Sequence, residues 1–119
     1  MKIAISSNSN TLDQVEPRFG RAAYFIIYDL ESDTFTSAEN RQAIESSGGA
    51  GIQAAQNIIN AGATALITGH CGPNAFKALQ AANIDVYVNV SGSMTQAIED
   101  YKNQKLEKAQ QADVSGHWK

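Results

Sequence analysis

The chain of 119 residues predicts an α/β fold: a mixed five-stranded sheet in the order 3-2-1-4-5, strand two antiparallel, with helices packed over it. Three observations predict it. The aromatic run Ala22 to Leu30, the tight turn Glu31-Ser32-Asp33 and the weaker alternation Thr34 to Ala38 read as an antiparallel hairpin ending in an edge strand. Beyond residue 50, helical periodicity alternates with short apolar runs, the pattern of parallel strands joined by right-handed crossovers. The opening run Lys2 to Ser6 is short and apolar, so it can sit centrally, beside both strand two and strand four.

Each element has its own reason. Strand one is Lys2 to Ser6. Ser7 to Arg21 is a long polar connection containing Asn8, Asn10, Pro17 and Gly20, and connections of about 15 residues in a small domain usually carry a function. Strands two and three are the hairpin. Asn40 to Gly49 is polar and ends in Ser46-Ser47-Gly48-Gly49. Helix one, Ala50 to Ala61, places Ile52, Ala55, Ile58 and Ile59 on one stripe and stops at Gly62. Strand four is Thr64 to Thr68. Helix two runs from Pro73 to Ala82, with Phe76 and Leu79 inward and proline at the first helical position. Strand five is Asp85 to Val90. Ser93-Met94-Thr95-Gln96 fits a capping box for helix three, which uses Ile98 and Tyr101 and weakens at Asn103. Gln104 to Lys119 reads as irregular until Val114-Ser115-Gly116-His117-Trp118.

Length suggests one domain over residues 1–119. Hydrophobic residues make up 43%, enough for a real core. A net charge of −3 argues against a nucleic-acid binder, which would carry a basic stripe. The single cysteine cannot form an internal disulfide, which fits a reducing cytosol. No apolar run approaches the roughly 18 residues of a membrane span, and the N-terminus is no signal peptide. The expectation is a cytoplasmic protein with no membrane partner.

The chemistry concentrates in Thr68-Gly69-His70-Cys71-Gly72-Pro73-Asn74, a strand-to-helix turn. In an open α/β sheet such a turn lies outside the carboxyl end of a strand, where ligands bind. Gly69 and Gly72 let the backbone approach a ligand closely. In the predicted order, the loops after strands one, four and five open on the same edge. They carry Ser7-Asn8, His70-Cys71 and Ser91-Gly92.

Pro17-Arg18-Phe19-Gly20-Arg21-Ala22 before an aromatic strand, Gly51-Ile52-Gln53-Ala54-Ala55 opening a helix, and Gly69-His70-Cys71-Gly72-Pro73-Asn74-Ala75-Phe76 after a strand occur in that order. Together they resemble the dinitrogenase iron–molybdenum cofactor biosynthesis family, which includes nitrogenase accessory proteins and small orange proteins, over about residues 1 to 105. The resemblance implies a ribonuclease-H-like three-layer α/β/α fold. It also implies a non-catalytic carrier for a metal–sulfur cluster containing molybdenum with iron or copper.

Such a cluster is a polyanion, and helix N-termini and glycine-rich turns present backbone N–H groups to anions. Candidate donors are Gly48, Gly49 and Gly51, then Gly69, Gly72 and Asn74, with a third helix start after Ser91 and Gly92. His70 and Cys71 supply ligand types suited to copper, iron or zinc, but adjacent residues chelate poorly, so an open site holding a preformed cluster is expected. The plain alternative is a cysteine packed as a small hydrophobe and a histidine capping a turn. Arg18 could neutralise an anion, with Arg21 as solvated surface and Phe19 plugging the core. Ser7 and Asn8 are further candidate lining residues. Trp118 could anchor the tail, with His117 as a further ligand.

Strands one and four lack the carboxylates of a two-metal nuclease, and one cysteine with two histidines builds no catalytic triad. A metal-independent interaction module recruiting an ATPase or a redox protein is the alternative function.

Overall fold

A computed structural model describes residues 1–40 and 50–109. Gly48, Gly49, His117 and Trp118 lie outside the described residues. The strands are β1 (Lys2–Ser7), β2 (Tyr24–Asp29), β3 (Thr34–Glu39), β4 (Ala65–Ile67), β5 (Asp85–Val88) and β6 (Glu107–Lys108). The described helices are α1 (Ala50–Asn60), α2 (Pro73–Ala81) and α3 (Met94–Lys102), and a 3₁₀ turn spans Phe19–Arg21.

The sheet has six strands in the order β3-β2-β1-β4-β5-β6, where the sequence predicted five. β1, β4 and β5 are parallel, and β2 runs antiparallel to β1, as expected. The extra strand comes from the stretch expected to be irregular. Glu107 and Lys108 pair antiparallel with Val88 and Tyr87, and the Ala109 amide donates to Val86 O at 2.8 Å. Two residues are too few to show period-2 alternation, so β6 left no pattern in the sequence.

Residues on β1 alternate between two cores. Ala4 joins Phe25, Leu66 and Val86 against Ala54, Ala55 and Ile58 of α1 and Ala75, Phe76 and Leu79 of α2. Ile3 and Ile5 join Ile26, Ala65 and Ile67 against Met94, Ala97 and Ile98 of α3. Helices therefore cover both faces, and β1 is buried on both, which is why its run is apolar without alternation. The stripe expected on helix one needs correction at its start: Ile52 is 51% exposed, and Ala54 faces the core beside the expected Ala55.

All three described helices stop in the same way. A residue with positive φ follows each: Gly62 (85°), Asn83 (61°) and Gln104 (58°). The next amide reaches back to the last turn, Ala63 to Ile58 O, Ile84 to Leu79 O and Lys105 to Asp100 O, which is the Schellman arrangement. At the start of α3 only half the expected capping box forms. The Ser93 hydroxyl accepts from the Gln96 amide at 3.3 Å, while the Gln96 side chain donates to Asp100 at 2.9 Å.

Candidate functional site

The carboxyl ends of β1, β4 and β5 define one edge of the sheet, as predicted, and the starts of α2 and α3 lie on it. The polar connection after β1 crosses this edge, tied by backbone bonds at three places. Val15 N donates to Gly92 O at 2.8 Å and Met94 N donates to Asp13 O at 2.8 Å, pinning the connection to the start of α3. Glu16 N donates to Ser6 O at 2.8 Å, pinning it to β1. His70 N donates to Pro17 O at 2.7 Å and Phe19 N donates to His70 O at 3.2 Å, pinning it to the turn after β4. Arg18 and His70 are thus a parallel bridge pair.

That last tie explains Gly69. A Cβ there would lie 2.5 Å from Pro17 O and 2.7 Å from Pro17 Cα, so the two chains approach this closely only because the residue is glycine. Gly51 has a related role, since its Cβ would meet Ala75 Cβ at 3.1 Å where the starts of α1 and α2 pack. Gly72 is different. It is the N-cap of α2 with φ −76° and ψ 170°, makes no side-chain cap, and among the described residues a Cβ there would meet nothing within 4 Å. Pro73 fills the first helical position and Asn74 is exposed.

The two ligand candidates separate by burial. His70 is partly exposed at the edge. Cys71 is 1% exposed and packs in the α1–α2 core, with Sγ 3.8 Å from Gly72 O. Ser7 is fully buried, and its hydroxyl donates to Ser9 O at 2.7 Å, closing a local turn. Asn8 is exposed and donates to the Glu16 carboxylate. Arg18 is about half exposed and Arg21 is exposed, while Phe19 is buried against Phe25 at 5.2 Å between ring centroids. Ser91 and Gly92 are exposed beside the start of α3. That start is largely filled by the protein itself: Met94 N serves Asp13 O, Gln96 N serves the Ser93 hydroxyl, and Ala97 N serves Ser93 O.

Two residues at this edge were not singled out in the sequence. Asn40 is fully buried; its side chain donates to Ala22 O at 2.7 Å and accepts from Asn57 at 2.6 Å, tying the hairpin to α1. Glu16 is 9% exposed, with Oε1 3.3 Å from the Arg18 amide and 3.9 Å from Arg18 Nε. The signal available for Glu16 was its neighbour Val15, an apolar residue in a polar stretch, which marks a connection that packs back onto the core.

Among the described residues no group of three or more His, Cys, Asp or Glu could hold a bare metal ion. The donor set suits a preformed anionic object: one imidazole, one arginine, and a helix start without a side-chain cap. No described helix is long and apolar enough to cross a membrane.

Residues 1–104 match the family model described as dinitrogenase iron-molybdenum cofactor. An uncharacterised protein of Methanocaldococcus jannaschii is 33% identical over 113 residues, covering 91% of each chain. The apo form of the orange protein from Desulfovibrio gigas superposes with a TM-score of 0.92 at 36% identity, covering 95% of this chain and 96% of that one. A Thermotoga protein provisionally named NifB superposes with a TM-score of 0.77 at 37% identity, covering 90% and 91%.

Proposed function

Because the chain belongs to the dinitrogenase iron–molybdenum cofactor family, we propose that it is a non-catalytic carrier for a molybdenum- or iron-containing metal–sulfur cluster, held as cargo at the carboxyl edge. The observation that carries this reading is the start of α2. It follows a parallel strand, has no side-chain cap, has no described residue within 4 Å of a Cβ placed at Gly72, and stands beside His70 and the backbone-paired Arg18. A helix start of this kind offers N–H groups and a positive dipole end to an anion. His70 supplies the side-chain ligand, and the amides of Asn74 and Ala75 supply donors. Arg18 and Asn8 supply charge and a hydrogen bond from the connection. Cys71, from the same turn but buried at its core side, is the second ligand candidate. The cargo's sulfides carry the bulk of its charge, so directional amide donors suit it better than a cage of protein ligands.

The test is direct. The protein is mixed with tetrathiomolybdate, with and without copper(I), desalted, and examined for retained metal and a charge-transfer spectrum. Stoichiometric retention is expected, and replacing His70 and Cys71 together is expected to lower affinity at least ~10-fold with the fold intact. Unchanged affinity in the double variant would sink the ligand assignment.

A second reading is supported by one observation. β3 ends the sheet, all but one of its six residues are exposed, and Phe35 on it is 38% exposed. An exposed edge of this kind can pair with an extended segment of another protein. In this reading the chain is a metal-independent module that recruits an ATPase or a redox protein. Capture of such a partner by metal-stripped protein, lost when Ser37, whose N–H faces away from β2, is replaced by proline, separates it from the carrier reading.

A further inference from the structure

Glu16 is 9% exposed although it lies in the polar connection after β1. Its carboxylate is held by donors of the carboxyl edge. Asn8 Nδ2 donates to Oε2, the Arg18 amide donates to Oε1 at 3.3 Å, and Arg18 Nε lies 3.9 Å from Oε1. Its backbone is anchored as well: the amide donates to Ser6 O at 2.8 Å, and the carbonyl accepts from the Ser6 hydroxyl at 2.7 Å. Ser6 Oγ also lies 2.9 Å from Thr68 Oγ1, so the anchor reaches the strand that leads into His70. A carboxylate held by a side-chain amide and a backbone amide, with a guanidinium at ion-pair distance, is an anion site filled by the protein's own anion. The donors it takes, Asn8 and Arg18, are those that the carrier reading assigns to the cargo.

Resting on that reading, we infer that Glu16 is a specificity-determining group of the cargo edge, an internal anion that competes with incoming anionic cargo for Asn8 and Arg18. Its fixed charge keeps the affinity of the edge below what the donors alone would give. A carrier has to release its load, and a built-in competitor of the same charge supplies a route to release without a second conformation. The anchored backbone matters here, because Glu16 cannot leave the edge without breaking its ties to Ser6.

Tetrathiomolybdate, a dianion, is the probe. The full chain and Glu16→Gln are titrated in parallel by charge-transfer absorbance at low and high ionic strength. Glu16→Gln keeps the size of the side chain and removes its charge. It is expected to bind about tenfold more tightly at low salt, with the gain shrinking as salt screens the repulsion. A purely structural role would give equal or weaker binding. Circular dichroism establishes that the variant is folded; if it is not, Glu16→Ala, which removes the charge at the rim of the connection, takes its place with the same expectation. Equal or weaker binding by a folded variant overturns the inference and leaves the carrier reading standing. Absence of binding by both chains overturns both.

Discussion

The starts of α2 and α3 occupy equivalent places, each following a parallel strand at the same edge of one sheet, yet they are built in opposite ways. α3 starts at Ser93, whose hydroxyl caps Gln96 N, and the carbonyl of Asp13 closes over Met94 N. α2 starts at Gly72 with no side-chain cap and, among the described residues, nothing where a side chain would stand. Both lie under the same connection, but that connection uses Asp13 and Val15 on α3 and meets the turn before α2 through Gly69 and His70. A helix start closed by its own chain contributes to stability; one left open can serve a ligand. Under the carrier reading proposed above, the contrast favours the start of α2 over that of α3 as the binding end, with Ser91 and Gly92 beside the closed start.

The largest effect expected on this contrast comes from Gly69→Ala. Its Cβ would enter the backbone of Pro17, which is itself bonded to His70. A backbone collision of that depth cannot relax by a rotamer change, so destabilisation of ~3 kcal/mol is expected. Urea denaturation measures it. Because the strain falls where the connection meets the open helix start, cargo affinity should fall in the fraction that remains folded. A near-neutral melt would show that the connection can lift away from His70.

Next come two changes that exchange the characters of the helix starts. Gly72→Asp gives α2 a cap and a negative charge in open space, where φ and ψ already suit an N-cap. Stability should rise by a few tenths of a kcal/mol, roughly, while affinity for an anionic cargo falls about tenfold. Ser93→Ala removes the cap of α3 and should cost about 1 kcal/mol of stability with cargo affinity unchanged. Paired melts and titrations read both. If Ser93→Ala weakened binding as much as Gly72→Asp, the two helix starts would be functionally equivalent and the contrast would be lost.

How far the sequence alone reached follows the same division. Apart from β6, strands and helices were legible to within one or two residues at most ends, because burial on one or both faces imposes a period that the residues must obey. Gly62 was legible as a helix stop, since positive φ selects glycine. The carboxyl edge was legible as a place, because strand order follows from the connections. What was not legible depends on contacts between residues far apart in the chain. Glu16 becomes buried because Ser6 and Asn8 receive it, and Asn40 because Asn57 does. Val15 beside Glu16 marks a connection that packs back onto the core, but not which of its polar residues is buried, and Asn40 has no such neighbour. The filled state of α3 was hidden for the same reason: its donor Met94 is served by Asp13, 81 positions earlier in the chain. Ile52 failed in the other direction, an apolar residue in register that the first turn of α1 leaves at the surface.

The smallest expected effect lies at the opposite edge, where the protein closes itself. There the hairpin turn meets the end of α3: Lys102 Nζ donates to Asp33 Oδ1 at 2.9 Å, Tyr28 Oη donates to the same oxygen at 2.9 Å, and Lys102 lies over the Tyr28 ring at 5.7 Å. The hydrogen bond from Lys102, then that from Tyr28, holds the Asp33 carboxyl below the ordinary carboxylate range. The unfolded chain therefore binds a proton at Asp33 at a pH where the folded chain does not, and stability rises with pH across that interval. The contribution is in place above the ordinary aspartate value of about 4 and is lost as pH falls through the lower folded value. On the alkaline side the signs reverse. The bond to Asp33 raises Lys102 above its ordinary range, and the same partner raises Tyr28. Their contributions are in place at neutral pH and are lost as pH rises through those raised values. Asp33→Asn should flatten both limbs of a melting-temperature profile against pH while leaving cargo affinity untouched. The flattening should be slight and should vanish in high salt, because all three groups are near solvent. A loss of cargo affinity in Asp33→Asn would mean that the two edges are coupled through β2, and that the closed edge shares in the work of the open one.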